Sequence, residues 1–430
     1  MNPEFRRQLW LGFSVTRLAV LPLLLLACFA VAFLSEKGNV ASVLAITGAA
    51  LFAVLVWGMG TLAAGSSVMD EITDRTWDQQ RMSAMQPWAM TWGKLGGATA
   101  YGWYGGALCL LVAVPAALLS GQGGKVFQVT LSAILFGLFL QALLIAVNLQ
   151  LVKNGGLRSR RGGVWLIVVV LLWGVTPLLG MGRELSVTWW GKSFNSVSFG
   201  LASVALCALC AMVAAWRSMA AVLAVRQLPW GWPALAMLLT VYLSGFASAH
   251  HMATLGVVGV ATCAALTYLA LLTEPQPRPM WQRVVTRLAG GQWRAALLQL
   301  PRWPTTLLLA VPFALAAALA LNPPDTQPWP ALQQIKLYPA TFVLLMLRDC
   351  ALALFFAFSV KNRRAVTAFL LLMFVLYVLL PWLVSAMGSD MLSGLVQPLL
   401  ARSGLSFAVA LMHAALALTL LRWRWRATAP

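Results

Sequence analysis

At 430 residues, with 61% hydrophobic and 10% charged side chains, the chain is too apolar for a soluble globule, since ordinary globular domains carry about 25% charged residues. Its formal charge of +19 would suit a nucleic-acid partner. However, the basic residues sit in short loops between apolar runs, which is the positive-inside signature of a membrane protein and excludes a nucleic-acid face. The mean hydropathy is +0.82, and apolar runs of about twenty residues recur, each long enough to cross a ~30 Å hydrocarbon core.

The chain opens on Pro3–Phe13, where Phe5, Leu9 and Phe13 share one face and Arg6, Arg7 and Gln8 the other. That pattern predicts an amphipathic helix lying in the membrane interface. Arg6, Arg7, the apolar stretch from Leu18 and Ala30-Val31-Ala32 mimic a secretory signal peptide. With the chain beginning at Met1, Leu18–Leu34 is expected instead to stay as the first span. The second is Ala41–Leu62. An acidic loop follows, then spans at Leu95–Leu119 and Val129–Val152, a basic loop Lys153–Arg161, and spans at Val164–Met181 and Val197–Ala215.

The second half repeats the count, at Pro233–Ala249, Met252–Leu272, Thr305–Leu321, Tyr338–Val360, Ala365–Met387 and Gly404–Leu421. The expected fold is an all-α polytopic membrane protein of about twelve transmembrane helices, in two six-span halves, 1–232 and 233–430. With both termini inside, 23 of the 30 Lys and Arg fall on the cytoplasmic side. The outside keeps six (Lys37, Lys125, Arg183, Lys192, Lys336 and Arg402), and Arg348 lies within a span. This asymmetry predicts an inner-membrane protein with cytoplasmic termini.

The loop 63–94 is the most informative stretch. Four of the chain's 11 carboxylates, Asp70, Glu71, Asp74 and Asp78, fall within nine residues of it. At helical spacing Asp70, Asp74 and Asp78 form one acidic stripe, flanked by Arg75 and Arg81 at pairing distances. Pro87 is expected to end this helix, Trp88 and Trp92 to anchor at the interface, and Gly93-Lys94 to open the next span. The stretch predicts a short cytoplasmic helix that presents charge to a partner.

Glu71, Arg75-Thr76-Trp77-Asp78, Arg81, Pro87 and Gly93-Lys94, closing on a second span, resemble the loop between the second and third spans of ABC-transporter permeases of the type-2 exporter class. In that class a form of E-x-x-x-(R/G)-T-x-(D/E), then a Pro, then G-K marks the coupling helix that docks on the ATPase. The resemblance covers about 25 residues around this motif and is topological in the second half. It implies an N-terminal elbow helix at Pro3–Phe13 and a cytoplasmic ABC ATPase partner in two copies. It also implies that ATP and Mg are bound by that partner, with no cofactor in this chain. Asp70, Glu71, Asp74 and Asp78 would meet basic groups on the ATPase, Arg75 and Arg81 would brace the helix, and Gly93-Lys94 would join it to the third span. The matching loop of the second half, Thr273–Trp303, is basic (Arg278, Arg283, Arg287, Arg294 and Arg302), with only Glu274 acidic and no matching motif.

Arg348-Asp349 lies at mid-span depth, where charges cost about 2.5–3.5 kcal/mol each and so face the protein interior or water. Adjacent helical positions point ~100° apart, so a close mutual ion pair is not expected. The pair reads equally as a wall or gate of a pathway and as structural pairing. Gln141 and Asn148, seven apart, share a face and could line a pathway, although such amides more often join helices. His413 and His250-His251 have no metal-ligating partner in sequence, and the six cysteines, all in apolar runs, read as small buried residues. Gly191-Lys192-Ser193 resembles the end of a P-loop but starts from Ser186 rather than Gly, so the chain is not expected to be an enzyme. Two other classes compete. A twelve-span secondary transporter would want coupling carboxylates, for which Asp349 alone qualifies. A membrane-embedded transferase would want clustered His, Asp or Glu, which the loop supplies only in part.

Overall fold

A computed structural model describes residues 2–35, 38–83, 85–120, 123–153, 186–225, 227–247, 251–320, 338–359, 364–387, 394–400 and 403–427. The chain forms two compact units, Met1–Val187 with Ser193–Gln227, and Thr188–Lys192 with Leu228–Pro430.

In the first unit α1 (Pro3–Gly12) starts where the Asn2 side chain accepts the Glu4 N–H at 3.0 Å, with Pro3 in the first turn. The apolar α2 (Val15–Ser35) follows. Next, α3 (Val40–Phe52), a π-helical segment (Ala53–Gly60) and α4 (Thr61–Thr73) run on as one helix of 34 residues. Its length, about 50 Å at 1.5 Å per residue, exceeds the hydrocarbon core by about 20 Å, so its acidic end projects. The helix passes the expected end at Leu62 because Ala64 and Val68, one turn apart, remain fully buried. The wide π turn leaves the Val56 carbonyl to accept from Gln141 Nε2 at 3.1 Å. Gly60 makes the room, since a Cβ there would lie 2.7 Å from that nitrogen.

The loop carries α5 (Trp77–Arg81), and α6 (Pro87–Gly97), α7 (Ala100–Leu119) and α8 (Gly123–Lys153) follow. Pro87 starts a helix rather than ending one, because its missing N–H is an orphan in the first turn in any case. A tight hairpin, β1 (Ser186–Trp189) and β2 (Lys192–Asn195), turns at Trp190-Gly191, both at positive φ. It accounts for Gly191-Lys192-Ser193 and leads into α9 (Ser196–Val222). Val68, Trp77, Met90, Ile145, Leu149 and Met219 form the core beneath the loop.

The second unit holds α10 (Gly231–Ser244), α11 (His251–Thr273), α12 (Arg278–Ala289), α13 (Trp293–Leu297), α14 (Trp303–Ala320) and α15 (Tyr338–Ala357). After these come α16 (Ala365–Phe374), a π segment (Val375–Leu379), α17 (Leu380–Ala386), a 3₁₀ turn (Pro398–Leu400) and α18 (Ser403–Ala427). Small residues draw α11 onto α14, where a Cβ on Gly256 would lie 2.6 Å from the Ala317 nitrogen. The hydroxyls of Thr267 and Thr306 bond across this seam at 2.8 Å.

The protein is therefore a helical, multi-pass membrane protein. Among the described residues, ten helices are long and apolar enough to cross a bilayer, and α10 is a shorter apolar helix. The expected fifth span, 164–181, and most of the basic loop 153–161 lie outside the described residues.

Candidate functional site

The acidic loop is built on a turn that the sequence pattern misses. Arg75 adopts a left-handed conformation, φ 57°. Thr76 N–H donates to the Glu71 carbonyl at 2.9 Å and Arg75 N–H to the Ile72 carbonyl at 3.2 Å. These two bonds are a Schellman closure of α4. The helix therefore stops at Thr73, and the expected stripe is broken: Asp78 belongs to α5 and not to the face shared by Asp70 and Asp74. Asp70, Asp74, Arg75 and Asp78 are exposed, and Arg81 closes α5. Trp77 turns inward beneath the loop, and Trp88 and Trp92 stack on the exposed face of α6 with centroids 6.4 Å apart.

Glu71 departs from its expected docking role. It is buried, and its carboxylate meets Lys94 and Arg7 rather than Arg75. Lys94 is fully buried, with its ammonium 3.1 Å from Glu4 Oε1 and 3.4 Å from the Ser67 carbonyl, and 5.6 Å from the centre of the Trp77 ring. Arg7 donates to Glu4 at 3.0 and 3.1 Å, and Gln8 bridges Glu4 and Glu71 at 3.0 and 3.3 Å. Two carboxylates and two cations from α1, α4 and α6 thus form a neutral clamp, the arrangement that makes buried charge tolerable. Burial alone would raise the Glu4 carboxyl, but hydrogen bonds from Arg7 and the charge of Lys94 outweigh it and hold it below its ordinary value. Burial likewise opposes the charge of Arg7, and bonding to Glu4 and Glu71 overcomes that and raises it.

The clamp needs α1 to lie against α6, and glycine permits it. A Cβ on Gly93 would sit 2.7 Å from the Glu4 Cβ, and one on Gly97 2.6 Å from the Gln8 Cβ. Hence α1 turns the polar residues Glu4 and Gln8 inward and leaves Trp10 and Leu11 exposed. The expected division, with Gln8 on the outward polar face, is corrected by this packing. Gly93-Lys94 sits within α6 and carries the clamp instead of opening a span.

In the second unit Arg348 and Asp349 do form a close pair, contrary to expectation, with Nε and Nη2 both 2.8 Å from Oδ1. The long guanidinium arm bends back across the ~100° between adjacent positions, and its group stacks 5.0 Å from the Tyr377 ring centre. The Tyr268 and Tyr377 hydroxyls each donate to Asp349 Oδ2 at 2.7 Å. Arg348 Nη1 lies 3.5 Å from His413 Nδ1, and Arg348 lines a cavity of about 30 Å³ with Tyr377 and Gln397. Gln141 and Asn148 are buried and serve as joints between helices. Gln141 accepts from Trp103 Nε1 at 3.0 Å, and Asn148 Nδ2 donates to the Gly65 carbonyl at 3.0 Å.

The basic loop of the second unit has a clamp of its own. Glu274 meets the Arg302 side chain at 3.0 Å and its N–H at 2.9 Å. Glu71–Lys94 ties the end of α4 to α6, and Glu274–Arg302 ties the end of α11 to the start of α14. Sequence alone gave no sign of either, because the loops otherwise differ in charge. No protein family, curated protein or solved structure matches this chain.

Proposed function

We propose that the chain is the membrane subunit of an ATP-driven transporter of the type-2 ABC exporter class, working with a separate cytoplasmic ATPase. The observation that carries this is the loop of residues 70–94, whose exposed Asp70 and Asp74 at the end of α4 and Asp78 in α5 stand on a base fixed by the Glu4–Arg7–Glu71–Lys94 clamp. Closure of two ATPase copies would push on α5 and the exposed carboxylates. Because Glu71 and Lys94 bind α4 to α6, and Glu4 and Arg7 bind α1 to both, the push would move these helices as one body rather than bend a loop. The acidic face would meet cationic groups on the ATPase, steering its approach as well as holding it. Both termini are assigned to the cytoplasmic side of the inner membrane, from the loop charge asymmetry.

A secondary transporter would rely on Asp349 as its coupling group. Both of its oxygens are already taken, by Arg348 and by two tyrosine hydroxyls, which disfavours an exchangeable ion there. The test is to purify the tagged chain from its native membranes under mild detergent. An ABC ATPase should accompany it, and its hydrolysis of ATP should require the membrane chain. Substrate flux driven by an ion gradient, from the purified chain alone in vesicles, would refute the proposal.

A further inference from the structure

The second unit carries a strongly basic end that the loop of residues 70–94 does not involve. Residues 273–303 and 421–427 contain eight arginines against one carboxylate, Glu274, which Arg302 already holds. These segments meet in the fold: Arg278 Nη2 donates to the Trp425 carbonyl at 2.9 Å, and Trp281 packs 5.6 Å from Trp303. The ends of α11, α14 and α18 and the whole of α12 and α13 therefore share one surface. Some of the arginines are engaged inward, as Arg278 is, or Arg287 on the Ala295 carbonyl at 3.1 Å. Four point outward: Arg283, Arg294, Arg422 and Arg426 are exposed. Arg283 bonds the Pro279 carbonyl of its own helix, and the other three have no ion pair among the described residues. Between them stand Trp293, 65% exposed, and Trp423, 59% exposed.

We infer that this end of the second unit binds the headgroups of anionic phospholipids. The cations lie at or just beyond the ends of apolar helices long enough to span, where a bilayer would place its headgroups, and a basic cluster just beyond a span is attracted to anionic lipid. Guanidinium groups pair with phosphate in a forked geometry. The two exposed indoles place an apolar body and an N–H at the same interface, which an acidic protein partner would not require. Such lipids would be held here whatever the chain transports.

Native mass spectrometry of the detergent-solubilised full chain, offered phosphatidylglycerol and phosphatidylcholine in equal amounts, tests this. Wild type should retain phosphatidylglycerol preferentially, and added salt should erode the preference. Each of Arg283→Gln, Arg294→Gln, Arg422→Gln and Arg426→Gln should weaken retention about fivefold, from roughly 1 kcal/mol per arginine. Phosphatidylcholine retention and melting temperature should stay unchanged in these exposed-site variants, which separates lost binding from lost folding. Equal retention of both lipids by wild type would overturn the inference, as would an undiminished preference in the fourfold variant. Polyglutamate binding that depends on the four arginines, with no lipid preference, would assign the surface to an acidic protein and overturn it too.

Discussion

Replacing Lys94 by Met should be among the most damaging single changes in the first unit. The ammonium is fully buried and serves Glu71, Glu4 at 3.1 Å and the Ser67 carbonyl at 3.4 Å. Its loss leaves two carboxylates facing Arg7 alone, with one buried negative charge uncompensated. Breaking a buried pair in this way costs about 3–5 kcal/mol, a large share of the 5–15 kcal/mol that holds a typical domain. Methionine fills most of the volume, so charge and not a cavity dominates the cost. Adding Glu71→Gln restores neutrality, because Glu4 and Arg7 then balance. The double variant should therefore be more stable than Lys94→Met alone, with a coupling of about 0.5–3 kcal/mol. Equilibrium unfolding in mixed micelles, followed by tryptophan fluorescence, measures all four corners of the cycle. Additive losses, or a Lys94→Met protein as stable as wild type, would refute the clamp.

Three further outcomes are expected. The Glu4 carboxyl is held below its ordinary value of 4.5, so its contribution to stability is complete above about pH 4.5 and drains away as pH falls through the folded value. Acid unfolding of Glu4→Gln should lack that part of the pH dependence, and superimposable acid limbs would rule the contribution out. Arg75→Gly should stabilise the protein by roughly 0.5–1 kcal/mol, since a left-handed non-glycine residue costs about 1–2 kcal/mol and glycine returns part of this as unfolded-state freedom; a lower melting temperature would count against the turn. Arg348→Leu should lower stability by about 3–5 kcal/mol by stranding Asp349, with residual transport tracking the folded fraction. Lost transport in a normally stable variant would instead make the pair part of a pathway.

Ten of the expected spans were legible in sequence because each is a long apolar run, and α7, α11 and α15 begin or end within a few residues of the expected positions. What the pattern could not supply were contacts between distant residues. Glu4 and Lys94 are 90 positions apart, and nothing local marks either as a partner of the other. Helical periodicity carried the acidic stripe straight through Arg75, because the Schellman closure depends on backbone angles that an arginine seldom adopts. The π segment Ala53–Gly60 escaped for a similar reason, since its Val56 carbonyl is satisfied by Gln141 from another helix. Arg348 and Asp349 show the opposite failing: angular reasoning about Cβ directions underestimates how far a guanidinium reaches.

The most direct test of the proposed function is a pull-down with Asp70→Ala, Asp74→Ala and Asp78→Ala combined. All three residues are exposed, where a lost ion pair or hydrogen bond is worth only about 0–1 kcal/mol, so the membrane protein should stay folded and keep its elution volume. Glu71 is left intact, because its loss would unfold the base of the loop and confuse docking with folding. If the exposed carboxylates dock the ATPase, it should be carried through purification by wild type, released by the triple variant, and recovered on restoring the carboxylates. A triple variant that still retains the ATPase at wild-type stoichiometry would contradict that docking role.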